Sequence, residues 1–300
     1  MADGIGLTLD SADVLKCPPS LIVFGGPGIG KTTECAKACQ DALFLQASPD
    51  VLRSYETWRL GLTDAAEQAK YKTVAQLAKK TIEPSDVIAA AKARLGGKGP
   101  GSCWDKLVQI LDVFEASAHA GKNPYAGIVL DEWSTFAARI IEDMRVSNLA
   151  QFKSANGKID IFKVIDSLKA LHRRVLDLPM RCGKYVVLVC HAQEPKYYDQ
   201  NDDKKALELR GSLKYRGGPM LPIGTLVDTV VAMSTFAFHM VSVSEESLSL
   251  DGASGGTRYF LTDGTDTWAR KARDFRFPPK IKVSESNLRQ LLTETAGLSL

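Results

Sequence analysis

The chain has no pair of cysteines at metal-binding spacing, no long apolar run and no basic-then-apolar leader at its start. Its six cysteines, at positions 17, 35, 39, 103, 182 and 190, contain no C-x-x-C unit. That excludes zinc-ribbon and thioredoxin-type sites and argues against a disulfide-dense scaffold. Cys35 and Cys39 share one helix face, but two thiols make a poor metal site, so buried packing is their expected role. No stretch reaches the roughly eighteen apolar residues that a membrane helix needs. The opening MADGIGLTLDSADVLK carries two aspartates, which opposes a targeting peptide. A cytoplasmic protein with no membrane partner is the expectation. Internal repeats are absent, and so is an arginine-rich lid of the kind a nucleotide kinase carries. Histidine is scarce, four in all. His119, His172 and His239 have no partners at informative spacing.

What is present is an ordinary globular composition: 300 residues, 45% hydrophobic, 24% charged, net charge +3. This suits one large α/β domain with insertions. Apolar runs alternate with helical patterns. Leu21–Phe24 (LIVF) reads as a strand covered on both faces, and Thr32 to Leu43 as a helix. Strands follow at Ala42–Leu45, Ala126–Leu130 and Tyr185–Cys190, with helices at Trp104–His119 and Ile161–Leu178. Residues 50–100 read as a polar, helical insertion that ends in a glycine-rich surface loop at 96–101. The alternation predicts βαβ crossovers and a mainly parallel sheet flanked by helices. Beyond residue 195 the rhythm changes. Leu226–Met233 reads as a strand, and a β-hairpin is expected around 237–262.

Chemistry concentrates at residues 25–32, GGPGIGKT, which match GxxxxGK[ST] between a strand and a helix. Backbone N–H groups of such a loop point at phosphates, the lysine adds a positive charge, and the threonine hydroxyl can ligate Mg²⁺. The expected phosphate-binding set is Gly25, Gly26, Pro27, Gly28, Ile29, Gly30, Lys31, Thr32 and Thr33, with ATP and Mg²⁺ as cofactors. A P-loop enzyme also needs a carboxylate at a strand tip to hold the metal shell, and Asp131 directly follows AGIVL. Glu132 comes next and is placed to polarise the attacking water. His191 ends YVVLVC, and Gln193 stands two residues on; either can sense the γ-phosphate from an adjacent strand tip. Thr32 and Asp131 are the expected metal ligands.

Two basic segments remain. In residues 266–282 six basic residues face two acids. Strand alternation puts Lys271 and Arg273 on one side, as a solvated basic edge or as a pair of finger residues reaching a neighbouring ATP site. Residues 196–216 mix six basic and four acidic residues with Tyr197, Tyr198 and Tyr215. That mixture fits single-stranded nucleic acid or a surface loop.

The segments CPPSLIVFGGPGIGKTT, LPMRCGKYVVLVCHAQE, GPMLPIGTLVDTVVAM and WARKARD, in that order, resemble the RecA-like ATPases, more closely the phage-encoded nucleotide-binding members. The resemblance covers about residues 18–282. It implies a RecA-like P-loop core with a C-terminal β-hairpin region and ATP hydrolysis at subunit interfaces in a ring or filament. It further implies a role on DNA in recombination, replication or single-strand annealing, with Lys271 and Arg273 acting in trans. The expected layout is an N-terminal extension (1–17), an ATPase domain (18–283) and a C-terminal tail (284–300). Relatives often carry a catalytic glutamate after the second strand, but here that strand exits into Gln46-Ala47-Ser48-Pro49-Asp50. The base is therefore assigned to Glu132 ahead of Asp50. Two other readings share the P-loop: an ATP-dependent switch or assembly factor acting on a protein partner, and an AAA+ or packaging-type motor favoured by Asp131-Glu132.

Overall fold

A computed structural model describes residues 18–46, 52–78, 103–146, 154, 156–158, 160–197, 213–224, 226–243, 257–272, 277–283, 288–290 and 293. The strands are β1 (Ser20–Gly25), β2 (Ala42–Gln46), β3 (Gly127–Asp131), β4 (Tyr185–Gln193), β5 (Lys196–Tyr197), β6 (Leu213–Tyr215), β7 (Gly218–Pro219), β8 (Phe236–Val243), β9 (Thr257–Leu261), β10 (Lys271–Ala272) and β11 (Lys280–Lys282). The helices are α1 (Lys31–Ala38), α2 (Arg53–Leu60), α3 (Ala65–Gln68), α4 (Val74–Ala78), α5 (Cys103–His119), α6 (Trp133–Val146), α7 (Ile161–Leu176), α8 (Leu178–Cys182), α9 (Leu226–Met233) and α10 (Leu288–Gln290).

The main sheet runs β11-β9-β8-β1-β4-β3-β2, with β10 on β8 and β7 on β4. From β8 to β2 all pairings are parallel, and β9 and β11 add an antiparallel edge. This is the mainly parallel, helix-flanked P-loop core with a C-terminal hairpin that the sequence predicts. The unbroken apolar strands follow from two-sided burial. In β1, Ile22 and Phe24 enter the core beneath α6, α7 and α9, while Leu21 and Val23 enter the core beneath α1. In β4, Val186, Leu188 and Cys190 point one way and Tyr185, Val187 and Val189 the other. Each fully buried aliphatic side chain contributes roughly 1.5–3 kcal/mol, so the sheet centre, where the functional loops begin, is the best-anchored part of the fold.

Several boundaries differ from expectation for local reasons. α1 stops at Ala38, because Cys39 leaves helical geometry and the Gln40 amide turns back onto the Ala36 carbonyl, freeing Ala42 to start β2. Leu226–Met233 is a helix, not a strand: Leu226, Val227, Val230 and Val231 are buried at helical spacing, although three of the four are β-branched valines that favour strands. α7 begins on the Asp160 side chain, which accepts from the backbone N–H of Phe162 at 3.1 Å and Lys163 at 3.4 Å. It buries the stripe Val164, Leu168, Leu171 and Val175. In the expected tail, Leu288 is fully buried against the α1 side of the sheet. The glycine-rich loop 96–101 and Asp50 lie outside the described residues.

His172, which the sequence leaves without a role, joins α6 to α7. Trp133 Nε1 donates to its Nε2 at 3.0 Å, and its Nδ1 donates to the Leu168 carbonyl at 2.7 Å. Burial holds its pKa down to about 4. The unfolded chain takes up a proton near pH 6.5 that the folded protein refuses until about pH 4. Stability is therefore lost as pH falls across that window, by roughly 3 kcal/mol in full. The H172Q variant keeps an acceptor for Trp133 but cannot titrate. Urea melts between pH 7 and 4.5 are expected to show a smaller acid loss for H172Q than for wild type; equal slopes would refute the assignment.

Candidate nucleotide site

Strand register carries the P-loop, Asp131 and His191 to one edge of the sheet. Gly25 lies opposite His191 of β4 on one side and Met240 of β8 on the other, and Asp131 lies opposite Val189. The turn out of β1 is tight: a Cβ on Gly25 would sit 2.4 Å from the Met240 carbonyl oxygen, so only glycine fits. Gly30 has φ of 94° and precedes α1, where the chain enters the helix in the left-handed conformation. Lys31 is 7% exposed and its Nζ donates to the carbonyls of Gly25 at 3.0 Å and Gly26 at 2.7 Å. Burial lowers its pKa, and Asp131 pulls the other way.

A cavity of about 240 Å³ opens here, lined by Pro27, Gly28, Gly30, Lys31, Thr32, Ser54, Asp131, Glu132 and His191. A larger one, about 510 Å³, lies along α7 and α9 and contains no P-loop residue; phosphate chemistry belongs to the smaller. Glu132 Oε1 is 3.2 Å from His191 Nε2, and Glu132 Oε2 accepts from Thr135 Oγ1 at 3.1 Å. A cis peptide joins Asp131 to Glu132. Ser134 braces this corner: its Oγ accepts from the His191 backbone N–H at 3.0 Å and donates to the Met220 carbonyl at 2.7 Å.

Asp131 is fully buried, and among the described residues neither carboxyl oxygen has a hydrogen-bond partner. Burial, with Glu132 adding to it, pushes its pKa up to about 7. The Thr32 hydroxyl lies close enough to draw that value down, but without the geometry of a formed bond. A buried carboxylate without partners, beside a threonine hydroxyl at a P-loop, fits a hard divalent cation. Thr32 and Asp131 are the residues that would hold it.

Other expected site residues fall elsewhere. Gly26 and Ile29 contribute carbonyls rather than cavity wall, and Thr33 is buried behind the loop. Gln193 does not line the cavity; it pairs with Gly218 of β7. Lys271 pairs with Ala237 at the sheet end opposite the P-loop, and its Nζ donates to the carbonyls of Ser234, at 2.6 Å, and Ala232. Arg273 lies outside the described residues. Cys35 and Cys39 are buried in the core. Sequence reasoning missed Ser54, Ser134, Thr135 and Arg258. No pattern marks Arg258, whose Nη1 donates to the Ile29 carbonyl at 3.3 Å from a strand far along the chain.

A phosphate loop at the tip of a parallel strand, a buried carboxylate two strands away and a carboxylate–imidazole pair at the rim define a P-loop protein of the ATPase class. The family model described as AAA domain matches residues 18–273, and the chain belongs to that family. Among solved structures, the crystal structure of the RadB recombinase is similar at 11% identity with a TM-score of 0.37, covering 94% of this chain and 95% of that one. No curated protein matches. Among the described residues no helix is long and apolar enough to cross a membrane.

Proposed function

We propose that the protein hydrolyses ATP in an oligomer with shared sites and acts on DNA, as in phage-type recombination, replication or single-strand annealing. The observation that carries hydrolysis is the Glu132–His191 pair, 3.2 Å apart at the rim of the cavity that Lys31, Thr32 and Asp131 also line. The P-loop N–H groups and Lys31 bind the triphosphate. Glu132 accepts the proton of the attacking water, and His191 ties that carboxylate to the tip of β4, so a γ-phosphate that draws on His191 also repositions the base. Thr32 and Asp131 would hold a Mg²⁺ ion, which would supply positive charge against the charge that develops on the phosphates. Arg273 would complete the site of the neighbouring subunit, and Lys271 could join it only by leaving the Ser234 and Ala232 carbonyls that hold its Nζ.

A second reading, an ATP-driven switch on a protein partner, gains support from Arg216. Its guanidinium is committed to Asp228 at 3.1 Å and to the Trp268 carbonyl at 2.8 Å, which weakens the 196–216 segment as a phosphate-neutralising surface. One experiment covers these readings: steady-state ATPase of wild type, E132Q, and an equal mixture of K31A with R273A, with and without single-stranded DNA at two salt concentrations. E132Q is expected to bind ATP normally and to lose about 10²–10⁴-fold in turnover. The mixture is expected to recover activity. DNA is expected to stimulate, and less so at high salt. Full activity of E132Q sinks the hydrolytic assignment, and full activity of R273A alone sinks the shared site. Indifference to DNA selects the switch.

A further inference from the structure

Beyond these groups, we infer that Arg258 is a positioning residue for nucleotide binding, which orients the Gly30 N–H toward the phosphates by holding the Ile29 carbonyl. The inference rests on the P-loop binding a nucleoside triphosphate. Arg258 stands near the start of β9, opposite Ser242 of β8, on the flank of the P-loop away from His191. Its Nη1 donates to the Ile29 carbonyl at 3.3 Å, and its Nη2 lies 3.7 Å from Glu34 Oε1. Glu34 is 1% exposed on α1 and is itself held by Lys37 Nζ at 2.9 Å. The guanidinium thus spans Gly30, touching the residue before it and the first turn of the helix after it. The approach is close enough that a Cβ on Gly30 would meet Nη1 at 2.4 Å.

The chemistry follows from the peptide plane. The carbonyl of Ile29 and the N–H of Gly30 belong to one trans peptide and point in opposite directions. A cation that fixes and polarises the carbonyl therefore fixes the direction of the N–H and makes it a better donor. Gly30 needs such help: it is in the left-handed region, has no side chain to lock it, and lines the cavity. Among the described residues its N–H donates to no backbone carbonyl. Arg258 does not line the cavity itself, so it acts through the loop. It also ties the β8–β9 hairpin to the nucleotide site.

The test measures ATP and ADP binding by calorimetry, with turnover at saturating ATP, for wild type, R258A, R258K and, as a non-binding control, K31A. R258A is expected to weaken both nucleotides about tenfold, the effect of one lost charged hydrogen bond, with kcat within about twofold of wild type. R258K keeps a charged donor and is expected to recover most of the loss. Should R258A fail to fold, R258Q, which keeps one neutral donor, takes its place with the same expected direction. Wild-type affinity in R258A, a fall in kcat with affinity unchanged, or R258K no better than R258A would each overturn the inference. If wild type itself binds no ATP, the nucleotide reading falls instead, and the two failures are told apart.

Discussion

Replacing Lys31 by alanine is expected to lower kcat/KM for ATP by about 10²–10³-fold, the scale of losing one preorganised charge at a reacting phosphate, while shifting folding stability far less. The asymmetry comes from what the ammonium does without nucleotide. It is buried and satisfied by two carbonyls of its own loop, Gly25 and Gly26. Those charged hydrogen bonds are worth roughly 1.5–3 kcal/mol each, and the cost of burying the charge, visible as its lowered pKa, offsets much of that. Alanine removes gain and cost together. With ATP the balance changes, because the phosphates bring negative charge into a cavity whose walls already hold Asp131 and Glu132. Among the described residues that line the cavity, only Lys31 is a fixed cation, so its loss falls on the bound state. Calorimetry with Mg–ATP and a thermal melt check both halves. Retained affinity within threefold would mean that the nucleotide sits elsewhere.

The contrast between Lys31 and Arg258 shows what the sequence made legible. Lys31 belongs to a motif whose elements all lie within eight residues, so strand, turn, cation and hydroxyl can be read together. Asp131 and His191 were legible because each directly follows an apolar run, and parallel strands present their carboxyl ends on one edge, although β4 continues past His191 to Gln193. Arg258 reaches the same loop only because β8 pairs with β1 and β9 folds back on β8. No local pattern encodes that. Leu226–Met233 failed for another reason: a short, mostly apolar run broken only by Asp228 and Thr229 suits a strand or a helix, and only the packing of α9 on α7 decides. Lys271 was legible as a cation but not in its placement. A two-residue strand has too little alternation to aim a side chain, and the ammonium settles on the carbonyls that close α9.

The Asp131→Asn variant should separate function from stability most sharply, because the two move in opposite directions. Burial raises the Asp131 pKa from 3.8 to about 7. The folded protein therefore keeps a proton that the unfolded chain has already released. Its contribution to stability is fully present below about pH 4 and is lost as pH rises through about 7, roughly 4 kcal/mol in full. Asparagine carries no charge to bury. Nucleotide-free D131N is expected to be more stable than wild type at pH 8, by up to about that amount, and the difference should shrink toward pH 5.5 as the wild-type carboxyl is protonated. Mg–ATP reverses the order. The wild-type carboxylate gains a cation that replaces its missing partners, whereas the amide binds a hard cation poorly, so D131N should lose about 10²–10³-fold in turnover and gain little from Mg–ATP. Urea melts at pH 5.5 and 8, with and without Mg–ATP, read all four corners. A variant no more stable than wild type at pH 8 would refute the buried charge. Near-normal turnover would remove Asp131 from the metal site. A free-state penalty that disappears on Mg–ATP binding would make this carboxylate the point where ligand occupancy and folding stability are coupled, and would explain why so costly a group is buried at the tip of β3.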